Sequence, residues 1–244
     1  MSKKILATGI ALLIFVFGSS SAKAGEDWDY TLSPLYLWAV GLEGESQIGP
    51  VTAPIDISFD DALDNLDAAF TIHFEAKKGQ WGYLLDFSHI ALDPESSLPN
   101  GVPLKTEVTN NIIEAGGIYE IENNSNLEVL FGIRYSEFEL EAEIGGMPKA
   151  TIADESWTDG FVGLRGNYPV GENGTFSVRG DIGAGDSDLV WNAVLLYDHR
   201  FRDNFSMLGG YRWLDYDYET GNGPDRFTYD ITYEGPVLGL TFHW

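Results

Sequence analysis

The C-terminal stretch Tyr233-Glu234-Gly235-Pro236-Val237-Leu238-Gly239-Leu240-Thr241-Phe242-His243-Trp244 carries a strict two-residue alternation. Leu238, Leu240, Phe242 and Trp244 are bulky and apolar, and they alternate with Val237, Gly239, Thr241 and His243. Successive side chains of a strand point to opposite faces. One ladder therefore suits acyl chains and the other suits a confined interior. A strand of this kind that runs to a terminal aromatic residue is characteristic of a transmembrane β-barrel in the bacterial outer membrane.

The front of the chain agrees. Lys3 and Lys4 precede an apolar run over residues 5–17, and Ala22-Lys23-Ala24 follows. This is the charged, apolar and small-x-small order of an export signal. Cleavage is expected after Ala24, so residues 1–24 form the signal peptide and residues 25–244 a single barrel domain. The apolar run is too short for a spanning helix, which needs about 20 residues. The chain has no cysteine. An exported domain can do without disulfides if its backbone closes on itself, as a barrel wall does.

The formal charge is −24, from 14 basic and 38 acidic residues. Loss of Lys3, Lys4 and Lys23 with the signal leaves 11 basic against 38 acidic residues, a balance of −27. Such a chain repels phosphates, which excludes nucleic acid as a partner. Aromatic residues make up 14% of the sequence, and Tyr and Trp suit a membrane interface.

Two-residue alternation recurs through most of the exported region. Trp28, Tyr30, Leu32, Tyr36, Trp38 and Val40 read as one face of a first strand, with Pro34 near its start. Phe70, Ile72, Phe74 and Ala76 oppose Thr71, His73, Glu75 and Lys77, and Trp81, Tyr83, Leu85 and Phe87 oppose Gly82, Leu84, Asp86 and Ser88. Further runs follow, with a bulge expected near Ser136, where the apolar phase changes to Phe138, Leu140 and Ala142, and another at Gly235-Pro236. Joins at residues 78–80, 122–126, 171–174 and 202–204 are short, and those at 93–103, 142–155 and 220–225 are longer; 185–188 is a short exception. Short periplasmic turns and long extracellular loops are the barrel habit.

With both ends periplasmic the strand count must be even. Eleven alternating runs are present if residues 51–59 are included. Setting that run outside the wall gives an all-β, antiparallel, up-and-down barrel of about ten strands, with about eight or twelve as alternatives. Residues 44–67 then form an extracellular excursion or a segment in the lumen, and residues 60–67 read as a short helix with Leu63 and Leu66 on one side. A soluble β-sandwich is disfavoured because the apolar face recurs on nearly every run, while the opposite face carries ionised groups that need partners or water.

The stretches Phe74-Glu75-Ala76-Lys77-Lys78-Gly79-Gln80-Trp81-Gly82, Gly210-Tyr211-Arg212-Trp213-Leu214-Asp215-Tyr216-Asp217-Tyr218 and residues 233–242 resemble the broad OmpA-like and opacity-protein-like group of outer-membrane β-barrels. The resemblance spans the whole exported region. It implies the barrel architecture, an outer-membrane location and a final strand read by the barrel-assembly machinery, here Leu238, Leu240, Phe242 and Trp244. Trp244 departs from the Phe usual at that place. Members of the group include adhesins, small pores and structural anchors.

Four constellations bear on chemistry. The inward charges Glu75, Asp86, Arg134, Arg179, Asp181, Asp198, Arg200 and Arg212 fit either a selective channel or a salt-bridged plug; a barrel this small favours the plug. The acidic clusters Asp60, Asp61, Asp64 and Asp67, then Asp186 with Asp188, and Asp215, Asp217 and Glu219 lack metal-loop spacing and read as solvated surface. Catalysis would have to use His73, His89 or His199, with Ser88 beside His89, but adjacent strand residues face opposite ways. His73 shares the inward ladder with Glu75 and is placed to pair with Asp86, whereas His243 sits near the terminal turn. Finally, the loops at 93–103 and 142–155 sit where recognition usually lives. The expectation is a monomeric, non-enzymatic envelope barrel without metal or cofactor, with a structural or surface-interaction role among outer-membrane lipids and lipopolysaccharide. A narrow solute channel and a barrel enzyme acting on lipid or peptide are the alternatives.

Overall fold

The computed structural model describes residues 28–98, 101–121 and 126–244. The expected signal peptide, residues 1–24, and most of the 122–126 turn lie outside the described residues. The strands are β1 (Asp29–Trp38), β2 (Gly41–Ile48), β3 (Val51–Ile57), β4 (Leu66–Lys78), β5 (Trp81–Leu92), β6 (Glu95–Ser97) and β7 (Pro103–Glu120). They continue with β8 (Leu127–Ile144), β9 (Ala150–Val170), β10 (Gly174–Gly185), β11 (Leu189–Arg202), β12 (Phe205–Thr220) and β13 (Phe227–His243). One short helix, α1 (Phe59–Asp64), and a 3-10 turn at Gly223–Asp225 complete the chain.

Ten strands close the wall in the order β1-β4-β5-β7-β8-β9-β10-β11-β12-β13, and β13 returns to β1. The two ends of the wall are tied together: Tyr30 N–H donates to the Trp244 carbonyl at 2.9 Å, and Trp244 N–H to that of Tyr30 at 3.1 Å. The short turns gather at this end, which the barrel habit assigns to the periplasm.

The wall changes character along its height. In the half nearer the turns, Tyr83, Leu85, Ile133, Val162, Leu164, Ile182 and Leu238 are exposed outward, while Glu75, Asp86, Glu114, Arg134 and Asp181 are buried inside. That is the membrane half, where lipid covers the apolar ladder. Above it the pattern inverts. Phe138, Trp157, Tyr216, Tyr218, Phe227, Tyr229, Ile231 and Tyr233 pack inside as one core, and the outer face is acidic. Water surrounds this half, so the apolar residues turn to the interior as in a soluble barrel.

The inversion corrects two sequence expectations. No bulge breaks β8 at Ser136: β7 and β8 stay in register from Leu104↔Ile144 to Glu120↔Glu128, and against β9 the register shifts at Leu140/Glu141, where the extra residue belongs to β9. Phe138 and its successors change face relative to the lipid ladder because their strand has left the membrane. The loop expected at 142–155 likewise shrinks to residues 145–149, and its turn uses positive φ at Gly145 and Gly146.

Two further corrections concern the first and last strands. A bulge that alternation does not reveal lies in β1, between Leu32 and Leu35 against β13 and between Ser33 and Tyr36 against β4. Pro34 lacks the N–H that a regular ladder needs. A one-residue slip flips every later side chain. Leu35 and Leu37 therefore face lipid at 55% and 48% exposure, and Tyr36, Trp38 and Val40 face inward. At Gly235-Pro236, where a bulge was expected, the β12–β13 register is unbroken. Gly235 serves a different need, since a Cβ there would strike the Ala39 carbonyl.

The run set outside the wall forms a strand that stays outside it. Trp38↔Val237 and Gly41↔Glu234 share one register, so β2 prolongs the line of β1 along β13. The β1–β4 ladder stops at Tyr36↔Thr71, and above it β2 pairs with β3. Residues 44–67 thus form a hairpin and a helix at the extracellular end. Ser58 caps α1, accepting from Asp61 N–H at 3.2 Å. The helix ends at Asp64 and buries Ala62; Leu63 on it and Leu66, which already belongs to β4, are both exposed, against the expected apolar side.

Candidate functional site

Strand parity and register bring the site together. Glu114 stands on β7 directly between Asp86 of β5 and Arg134 of β8. Two neighbouring carboxylates facing the same interior need cations, and three guanidinium groups supply them. Glu114 Oε1 accepts from Arg134 Nε and from Arg212 Nη2, each at 3.0 Å, and Oε2 accepts from Arg179 Nη2 at 2.8 Å. Arg134 Nη2 also donates to Asp181 Oδ1 at 2.7 Å. Asp181 Oδ2 accepts from Arg179 Nε at 2.7 Å and from Asn192 Nδ2 at 2.8 Å. Asn192 Oδ1 accepts from Arg212 Nε at 3.0 Å and closes the ring. Glycine makes room: a Cβ on Gly163, the cross-strand neighbour of Asp181, would collide with it. Arg134 and Arg179 lie over the Phe161 ring at 5.1 and 5.5 Å, and Arg212 over Trp38 at 4.5 Å.

A second tier lies nearer the periplasm. Arg165 grips Glu75 with both terminal nitrogens and donates from Nε to Glu128 Oε2 at 2.6 Å. Lys77 Nζ meets Glu128 Oε1 at 2.5 Å. His73 is held between Asp86 Oδ2, 3.0 Å from Nδ1, and Glu75 Oε1, 3.1 Å from Nε2. In the two tiers Lys77, Arg134, Arg165, Arg179 and Arg212, together with His73, face five carboxylates, Glu75, Asp86, Glu114, Glu128 and Asp181. The excess acid of the chain therefore lies elsewhere, on loops and the upper wall.

The structure brings together six of the eight charges picked out by sequence, Glu75, Asp86, Arg134, Arg179, Asp181 and Arg212. It does not include Asp198 and Arg200. Asp198 accepts from Ser206 Oγ at 2.6 Å near the periplasmic mouth, and Arg200 is exposed. Glu114, the hub, was missed, as were Arg165, Glu128 and Lys77 as members. Their signal was parity alone: each alternates with outward residues such as Ile113, Leu164 and Val129.

The other candidate groups fall apart. Ser88 is buried, accepting from Thr71 Oγ1 at 3.0 Å, while His89 on the opposite face meets Asn111 at 2.7 Å. His243 Nε2 lies 2.9 Å from Ser206 Oγ, whose proton goes to Asp198. The serine sits between base and acid, whereas nucleophile activation needs the histidine there. Among the described residues no three His, Asp or Glu side chains converge closely enough to hold a metal ion.

Above the charged tiers Ile112, Val190, Leu214 and Tyr216 are fully buried and roof the lumen. Leu238, Phe242 and Trp244 stand exposed on the outer, lipid-side face, and Leu240 shares that face half-buried.

No protein-family model and no curated protein sequence matches the chain. Solved structures do. The outer membrane protease OmpT from Escherichia coli superposes with a TM-score of 0.51 at 9% identity, over 93% of this chain and 99% of that one. The translocator domain of the autotransporter NalP from Neisseria meningitidis gives 0.48 at 10% identity, over 91% and 90%. The attachment invasion locus protein Ail of Yersinia pestis gives 0.41 at 11% identity, over 89% and 99%. What the chain shares with OmpT is a fold, that of the bacterial outer-membrane β-barrel, and its own apolar belt and charged lumen place it in that membrane.

Proposed function

We propose that the protein is a plugged, non-conducting barrel with a non-enzymatic structural or surface-interaction role in the envelope. The observation that carries this reading is Glu114, fully buried at the centre of the lumen and bound by three guanidinium groups from β8, β10 and β12. These bonds tie opposite walls together across the space that a channel would need. The aromatic core above closes it a second time.

The upper wall is the face available to partners. Asp217, Asp230 and Glu45 are direct cross-strand neighbours there, as are Glu43 and Asp56. The basic residues at that end are already engaged: Lys105 with Glu95, Lys149 with Glu107 and Glu141, and Arg226 with Glu219. A nearby glutamate pair holds the Lys149 ammonium above its usual range. Contact with lipopolysaccharide phosphates would thus run through bridging divalent cations, and a protein partner would be basic. The outward ladder of Leu238, Leu240, Phe242 and Trp244 fits transient reading by the assembly machinery, and the self-contained wall fits a monomer.

Planar-bilayer recording tests the reading. A flat trace over the usual voltage range is expected. Large, stable, ion-selective openings would replace the plug by a channel.

A further inference from the structure

Below the Glu114 tier the lumen holds a chamber of about 100 Å³. At roughly 30 Å³ per water it has room for about three waters, and so for a small organic anion of about five non-hydrogen atoms. Water reaches it from the periplasmic side: His73, on its wall, keeps 22% side-chain exposure, whereas Arg134 and Asp181 above have none. The chamber is a dead end.

Three polar groups around it lack a hydrogen-bond partner among the described residues. Tyr36 lines the chamber and is only 6% exposed, yet its hydroxyl makes no hydrogen bond. Arg179 spends Nε on Asp181 and Nη2 on Glu114, which leaves Nη1 unused. Arg212 spends Nε on Asn192 and Nη2 on Glu114; its Nη1 is 3.8 Å from Asp86 Oδ1, too far for a hydrogen bond. The carboxylates that neutralise these cations, Glu114 and Asp181, do not line the chamber. Asp86 does, but its Oδ2 is taken by His73. The remaining polar lining is already engaged, Ser33 with Thr241, His73 with Asp86 and Glu75, Ser177 with Asn167 and Arg165 with Glu75 and Glu128, and the rest of the wall is apolar, from Val194, Leu196 and Leu208.

We propose that this chamber binds a short-chain monocarboxylate that enters from the periplasm. A planar carboxylate accepts from guanidinium N–H groups and a phenol hydroxyl at once. Its alkyl end then lies on Val194, Leu196 and Leu208. A tetrahedral phosphate of similar size would press an anionic oxygen against that apolar wall without a donor, which is costly. The inference takes from the proposed function only the closed roof that makes the chamber blind.

The test uses the full-length folded barrel in detergent, with propionate titrated calorimetrically at fixed ionic strength in chloride. Saturable binding is expected, with no competition from equimolar inorganic phosphate. Tyr36→Phe should weaken it about tenfold, the share of one hydrogen bond to a charged group. Leu208→Phe, which fills the chamber, should abolish it, and Val194→Phe serves if that variant does not fold; heat-modified gel mobility reports folding. No binding to the parent protein, equal binding by the filled variant, or equal competition by phosphate each overturns the proposal. Bilayer conductance is read separately. An open pore with propionate binding that Leu208→Phe abolishes would sink the plug and keep the chamber. A closed pore with no binding would do the reverse.

Discussion

Glu114 and Arg134 face each other directly across the β7–β8 ladder, with Arg134 Nε 3.0 Å from Glu114 Oε1 and both side chains wholly shielded from solvent. A pair buried this deeply is strong evidence of design only when each partner is also held elsewhere, because desolvation offsets most of the attraction. Here each is: Glu114 by Arg179 and Arg212, Arg134 by Asp181.

Removal of the hub should therefore be far more damaging than removal of a surface pair. Glu114→Ala leaves three guanidinium groups facing one another around Asp181. A loss of about 3–5 kcal/mol is expected, the usual cost of orphaning a buried charge. Reversible urea unfolding in lipid vesicles measures it. The double variant Glu114→Leu with Arg134→Met should recover part of that loss, since it removes charges of both signs together.

The bulge at Pro34 makes a sharper geometric prediction. Leu35 and Leu37 face lipid, and Tyr36 and Trp38 face the interior. The chain has no native cysteine, so single cysteines at these four positions can each carry a nitroxide. Labels at 35 and 37 should be broadened by oxygen dissolved in the bilayer, and those at 36 and 38 should be protected. The opposite pattern would mean that β1 keeps the face that simple alternation gives it.

That strand shows where the sequence stops being legible. Alternation locates strands because lipid outside and polar groups inside impose it, and it gave the ten-strand wall, the outlying run near residues 51–59 and the helix after it. It cannot see a register slip, since a slip leaves composition unchanged; Tyr36, Trp38 and Val40 went to the wrong face for that reason. Nor does it say where the membrane ends. Phe138 looked like a phase error, yet it marks the height at which solvent replaces lipid. The charge network was legible as a set of inward residues but not as a set of partners. Glu114 became the hub because Arg179 and Arg212 reach it from strands far away in the chain, a closure that only the barrel's curvature supplies.

The aromatic roof and the ion network are two seals in series. Trp157 stacks on Tyr218 at 4.5 Å and meets Tyr216 edge-on at 5.5 Å. Trp157→Ala should cost about 3–5 kcal/mol as a large-to-small core change. Because the lower seal remains, its bilayer trace should stay flat. Openings should need the roof variant combined with Glu114→Ala and Arg134→Ala. Steady current through the Trp157 variant alone would show that the ion network does not seal the lumen.

The acidic upper wall makes the last prediction, and its sign is opposite. Asp230 on β13 faces Asp217 on one side and Glu45 on the other at paired positions. Like charges directly opposed across a sheet are destabilising by roughly 0.2–1 kcal/mol. Asp230→Asn should therefore stabilise the barrel by an amount in that range. The gain should shrink as salt rises, because the Debye length falls from about 10 Å at 0.1 M to about 3 Å at 1 M. Urea unfolding at the two salt concentrations separates this from a packing effect, which salt would leave unchanged. A loss of stability on Asp230→Asn would mean that this carboxylate is held by a favourable contact and not merely tolerated for the surface charge it contributes.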